Sequence, residues 1–231
     1  EETYLGHDQY EERRAFAAAG VGFGDFSRQV NGERTAMSGP LAQLYEEHSS
    51  LGAVLNAMSA LVREVRERSK RIDPKVFRAI LYYLDVFPER EHHWKEEAVL
   101  FPRIRQRTRD ADAILDDLAC EHESGERAIR DLEQAFVRYE EHGDVEFGPF
   151  GDAVDRYVTR YREHMRKEER EVMPLAQRVL TAQDWADIEA AFALHRDPLA
   201  GASPATDHDQ LFHRIVMIVP APYGLGAPLK G

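Results

Sequence analysis

The chain has 231 residues, 43% of them hydrophobic and 31% charged, with a formal net charge of −12 at neutral pH. That length permits one or two domains with a substantial core, and the balance is that of a globular protein rather than a disordered or membrane-spanning one. The acidic excess argues against a nucleic-acid backbone or an anionic membrane surface as partner. The single cysteine, Cys120, excludes an internal disulfide and suits a reducing compartment. With no basic-then-apolar leader and no apolar run of the ~18–20 residues that a bilayer span needs, the expected location is cytoplasmic.

Residues 1–37 carry scattered glycines and mixed charge and read as a loosely structured extension, with a short helical pattern over "YEERRAFAAAG". From Ser38 to about His195 the pattern is helical almost throughout. Ser38 with Pro40, Asp73 with Pro74, Asp110 or Asp112, and Pro149 stand where helix N-termini would place them. The four long segments between these signals predict an all-α domain over 38–195, an antiparallel up-down-up-down four-helix bundle. Thr181-Ala-Gln-Asp184 predicts a capping box opening a shorter fifth helix. Residues 196–231 begin as a turn-rich linker and continue as the apolar segment "LFHRIVMIVPAPYGLG", expected to pack back on the domain. No repeat of 20–50 residues and no glycine-rich phosphate loop is apparent.

What interrupts each apolar stripe carries the chemistry. In the first helix Leu41, His48, Leu55 and Val62 recur by sevens, which puts His48 at a core position. In the third, His122 falls on the unbroken stripe from Leu115 and Leu118 to Ile129 and Leu132. In the fourth, His164 and Glu168 share the stripe one turn apart. The second helix is interrupted by Pro88, which breaks the ladder and shifts the phase. Counted at about 100° per residue, His92 and Glu96 form its inward pair, Glu97 points outward and His93 lies between.

A buried carboxylate without a partner costs several kcal/mol, and a buried imidazole needs its nitrogens satisfied. Four helices that each bring an inward histidine to one level, two of them with a carboxylate at i+4, are reconciled by two bound cations. Imidazole and carboxylate suit iron, manganese or zinc. Other metal patterns fit poorly: only Glu89/His92 has the Glu-x-x-His spacing of ferritin-like sites, "HESGE" lacks the second zincin histidine, and no cysteine pair exists.

The order His, His-x-x-x-Glu, His, His-x-x-x-Glu on successive helices resembles the haemerythrin-like family, the HHE cation-binding domains, in its bacterial form. The resemblance rests on "EEHSSL", "FPEREHHWKEEAVLFP", "CEHESG" and "HMRKEEREVMPLA" and spans about residues 38–195. It implies a non-haem di-iron centre, oxo- or hydroxo-bridged, held by His48, His92, Glu96, His122, His164 and Glu168, with the two glutamates bridging. Oxygen carriers of the family have a further histidine one turn after the third-helix one. Glu126 stands there in this chain, either as a carboxylate ligand or beside an open position. By the same resemblance His93 is a candidate extra ligand.

The resemblance implies a protein that binds O2 or NO, or senses or stores iron, with O2, NO or peroxide as the small ligand. The alternatives are a redox enzyme on the same scaffold, reducing peroxide or NO, an iron-centre repair protein, and a zinc-binding or metal-free interaction module. No catalytic residues are assigned, and the oligomeric state is left open, a homodimer included.

Overall fold

The computed structural model describes residues 39–68, 72–194 and 212–228; the N-terminal extension with His7, Ser38, His195, and the linker from Arg196 with His208 lie outside them. Among the described residues there is no strand, only an isolated bridge between Pro220 and Gly226. No helix among them is long and apolar enough to cross a membrane.

Helix α1 spans Gly39–Arg68. Asp73 caps the next helix as its sequence suggests: its side chain accepts the Lys75 amide at 2.9 Å, with Pro74 in the first turn. This helix, α2, runs Pro74–Val86, widens into π-helical turns over Phe87–His92 and Lys95–Leu100, and finishes as Phe101–Arg107. Helix α3 is Asp112–His142. Helix α4 is Asp144–Lys167, followed by a π turn over Glu168–Val172 and the segment Met173–Val179. Helices α1 and α2 pack together, α2 on α3, α3 on α4, and α4 back on α1, closing the bundle.

One start signal is displaced. Helix α4 begins not at Pro149 but at Asp144, after Gly143, whose φ of 72° is the left-handed region that glycine alone enters freely. Pro149 sits inside the helix and removes the bond to the Val145 carbonyl. Val145 is 79% exposed, so water can serve that carbonyl instead.

The fifth helix, α5, is Ala182–Leu194. Its capping box forms: Thr181 Oγ1 accepts the Asp184 amide at 3.2 Å, and Asp184 Oδ2 accepts the Thr181 amide at 2.8 Å. Asp184 also takes two hydrogen bonds from the Arg107 guanidinium, both 2.8 Å, which pin α5 to the end of α2. These bonds, Arg107 first and Thr181 next, hold the Asp184 carboxyl below the usual carboxylate range. Thr181→Ala is expected to cost about 1 kcal/mol in urea unfolding, and Asp184→Ala more, since it loses both sets of bonds. A neutral Thr181→Ala would remove the capping argument.

The tail forms a short helix over 212–218, α6, whose Phe212, Ile215 and Val216 join the bundle core, Phe212 against Tyr83. That core is divided. One cluster contains Leu51, Leu55, Phe77, Ile80, Phe136 and Phe150; the other contains Leu41, Leu44, Leu100, Ile104, Leu118 and Met173. His48, between Leu44 and Leu51, marks the polar level that separates them.

Candidate metal centre

Six buried side chains meet at this level: His48, His92, Glu96, His122, His164 and Glu168, none more than 5% exposed. They fall into two overlapping groups of potential ligand atoms, each within 4.8 Å of one another. His48, His92, Glu96 and Glu168 form the first; Glu96, His122, His164 and Glu168 form the second. Within each histidine pair the Nε2 atoms are 3.0 Å apart. Two nitrogens about 2.1 Å from one ion and at right angles would be about 3 Å apart.

The carboxylates lie between the pairs. Glu168 Oε2 is 3.3 Å from His48 Nε2, while its Oε1 is 3.1 Å from His164 Nε2 and 3.6 Å from His122 Nε2. Glu96 Oε1 is 3.6 Å from His92 Nε2 and its Oε2 is 3.6 Å from His122 Nε2. Each carboxylate thus offers one oxygen to each pair. Both Glu168 oxygens and Glu96 Oε2 are buried without a hydrogen-bond partner, which is the pattern a cation site leaves when its donor atoms are aimed at the ion.

The electrostatics of the metal-free cluster point the same way. Burial and the Glu168 charge push the Glu96 carboxyl up. Burial also works against charge on Glu168, but His164 and the other imidazoles outweigh it and hold that carboxyl down. Burial opposes a charge on His48 and on His164 too, yet their carboxylate partners raise both to about 10. Protons occupy the place of positive charge until a cation displaces them.

Around these six lies a ring of carboxylates that the helical periodicity did not reveal. Each histidine directs Nδ1 to a glutamate: His48 to Glu169 at 3.0 Å, His92 to Glu47 at 2.7 Å, His122 to Glu97 at 2.7 Å and His164 to Glu121 at 2.9 Å. A carboxylate accepting from Nδ1–H fixes the tautomer and leaves the Nε2 lone pair facing inward. Lys95 bonds Glu47 and Lys167 bonds Glu121. Glu97, expected to point outward, is 44% exposed at its side chain yet holds His122. Glu97→Ala is expected to lower metal affinity ~10–100-fold, measured by competition with a chelator, whereas exposed Glu171→Ala leaves it unchanged. Equal affinity in both variants would show that the His122 bond is incidental.

A signal for this ring was present in the sequence. His92–Pro102 and His164–Pro174 share the pattern His-x-x-Lys-Glu-Glu-x-x-x-(Phe/Met)-Pro, 72 residues apart (92 to 164), and Glu47-His48 recurs as Glu121-His122, 74 apart (48 to 122). The repeat is longer than the 20–50-residue window of solenoid units. Two helical hairpins therefore supply equivalent halves of the site. The shared prolines also account for two of the π turns. Phe101 N–H bonds the Glu96 carbonyl and Met173 N–H the Glu168 carbonyl, five residues back, one position before each proline. Widening the turn there makes room for a proline ring that would crowd the carbonyl four residues earlier.

His93 and Glu126, the two undecided positions, part company. Glu126 is 63% exposed and pairs with Arg130, so the structure does not bring it to the centre. His93 is buried, stacked on His122 with ring centroids 3.8 Å apart, and its Nε2 hydrogen-bonds the Tyr161 hydroxyl at 2.9 Å. It also forms a group of potential ligands with His122 and His164. His92, His93, Lys95 and Glu96 are all buried, along a stretch where the helix is widened into π turns. One turn before His93, Glu89 inserts its carboxylate against Gly125, where a Cβ would stand 2.8 Å from Glu89 Oε2. Of the other histidines, His142 and His213 are exposed and belong to none of the groups of potential ligands.

The fold and this site define a four-helix-bundle protein with a buried histidine–glutamate centre suited to cations. Residues 39–176, more than half of the chain, match the family described as Hemerythrin HHE cation binding domain, and the chain belongs to it. A comparison with curated proteins finds no significant match.

Proposed function

We propose that the protein holds two metal ions, iron by its ligand set and family, and binds a small diatomic ligand such as O2 or NO for sensing, binding or iron storage. The observation that carries this reading is the pair of four-residue groups sharing Glu96 and Glu168, each carboxylate offering one oxygen to each histidine pair. His48 and His92 would hold one ion and His122 and His164 the other. When bound, iron supplies a redox-active Lewis acid with a place for a small ligand. The chain's own residues orient the imidazoles through Nδ1, turn Nε2 toward the centre and exclude bulk water. Leu44, Leu51, Leu118 and Val172, each about one helical turn from a candidate ligand, and Tyr161, against His164, are all buried and would keep water from the centre. Ligands no more than 5% exposed favour a partner of diatomic size over an organic substrate.

The test is anaerobic titration of the metal-free protein with ferrous iron, followed by total metal analysis and exposure to O2 or NO. Two equivalents are expected to bind tightly, and new charge-transfer absorption to develop with the gas. Saturation at one equivalent, or no spectral response to either gas, would refute the corresponding part of the proposal.

A further inference from the structure

Every imidazole of the centre leans on a carboxylate, but only two of those carboxylates have a cation of their own. Glu47 joins His92 to Lys95, and Glu121 joins His164 to Lys167. Among the described residues Glu97 and Glu169 meet only His122 and His48. With neutral imidazoles, the six carboxylates Glu47, Glu96, Glu97, Glu121, Glu168 and Glu169 face two ammonium groups. The residues therefore carry four formal negative charges. Two divalent cations cancel them, whereas two trivalent cations leave an excess of two positive charges to be met by further anions.

We infer that Lys95 and Lys167 are the counter-charges that set this balance, and that they tune the oxidation level of the centre through the Glu47–His92 and Glu121–His164 bonds. The inference rests on the dinuclear reading above. A carboxylate relieved of its lysine places its full charge on Nδ1–H, raises the basicity of Nε2 and favours the more highly charged ion. Packing alone does not explain the arrangement. Lys95 is 7% exposed, with Nζ 5.9 Å from the ring centroids of both Phe87 and Phe192, a place where an uncharged side chain would be cheaper to bury. The same lysine–glutamate–histidine chain is built twice, at Lys95 and at Lys167, on opposite hairpins. The two lysines are positioning residues: neither belongs to the groups of potential ligands.

The experiment loads the full chain anaerobically with ferrous iron, counts the metal, and measures the midpoint potential by mediated spectroelectrochemical titration. Lys95→Met and Lys167→Met are each expected to keep two irons and to lower the midpoint potential, the double variant further. Lys167→Arg is expected to return the wild-type value. Because Lys167 is one-third exposed at its side chain, its variants keep the test decisive should Lys95→Met not fold. An unchanged potential in Lys167→Met with two irons bound, or an equal fall in Lys167→Arg, overturns the inference and leaves the dinuclear reading standing. A wild-type chain that binds fewer than two irons overturns both.

Discussion

Glu168→Ala protein, loaded anaerobically with ferrous iron, is expected to retain almost none of its metal, while His48→Ala retains about half. The asymmetry follows from membership. His48 belongs to one group of potential ligands, so its loss leaves His122, His164 and both carboxylates around the second position. Glu168 belongs to both, with Oε2 toward His48 and Oε1 toward His122 and His164. On the proposed two-ion reading its removal would leave two imidazoles and one carboxylate oxygen for each ion and take away an anion shared by both. Glu168→Gln keeps the volume and hydrogen-bonding surface, so it separates loss of charge from loss of packing. Metal analysis after gel filtration reads the result, with circular dichroism to confirm the helices. If Glu168→Ala and His48→Ala lose the same fraction, the carboxylate does not bridge.

The second large effect concerns pH and the metal-free chain. Burial pushes the Glu89 carboxyl up to about 7 from an ordinary 4.5, against a weaker opposing pull from His164 and Arg160. Its side chain is 4% exposed, and its oxygens have no hydrogen-bond partner. The folded state thus binds this proton more tightly than the unfolded state. The stabilisation is full below about pH 4.5 and is lost as pH rises through 7, the reverse of a salt-bridged carboxylate. The loss at pH 8 and above is on the order of 3 kcal/mol. His48 and His164, raised to about 10, also hold their protons more tightly in the folded chain, so the Glu89 share is read by difference. Between pH 4.5 and 8 the metal-free wild type is expected to lose about 3 kcal/mol more urea resistance than Glu89→Gln, which cannot ionise. Parallel profiles for the two proteins would mean that Glu89 ionises without cost.

The inward groups of α1, α3 and α4 were legible because they interrupt apolar stripes, whereas His92 and Glu96 of α2, where Pro88 breaks the ladder, rested on the angular count alone. His48 replaces a leucine in a run of sevens, and His164 with Glu168 replaces one turn of the α4 seam. The carboxylate ring was not legible in that way. Glu47, Glu97, Glu121 and Glu169 lie beside the stripe, among many glutamates with equal claim to solvent, and their long side chains reach back to Nδ1 from there. Only two recurrences single them out: His-x-x-Lys-Glu-Glu for Glu97 and Glu169, and Glu-His for Glu47 and Glu121. His93 was undecided because a count at 100° per residue assumes a regular helix, and the π turns before Pro102 and around Pro88 break that assumption. Pro149 misled for a related reason: a proline is cheap inside a helix where water can reach the carbonyl it orphans.

The divided core ties folding cooperativity to occupancy. In a bundle with one continuous apolar seam, each layer of side chains stabilises the next along the whole length. Among the described residues of this chain the Phe77–Phe150 cluster and the Leu41–Met173 cluster are separate, and the ligand level lies between them. Filled, that level crosslinks all four helices, since the first ligand group draws on α1, α2 and α4 and the second on α2, α3 and α4. Empty, it leaves two apolar lobes joined by protonated side chains and by helix backbone that is itself widened at the same height. On the proposed two-ion reading the ions are in this sense a mechanical coupling: the loaded chain is expected to melt as one body and the metal-free chain as two.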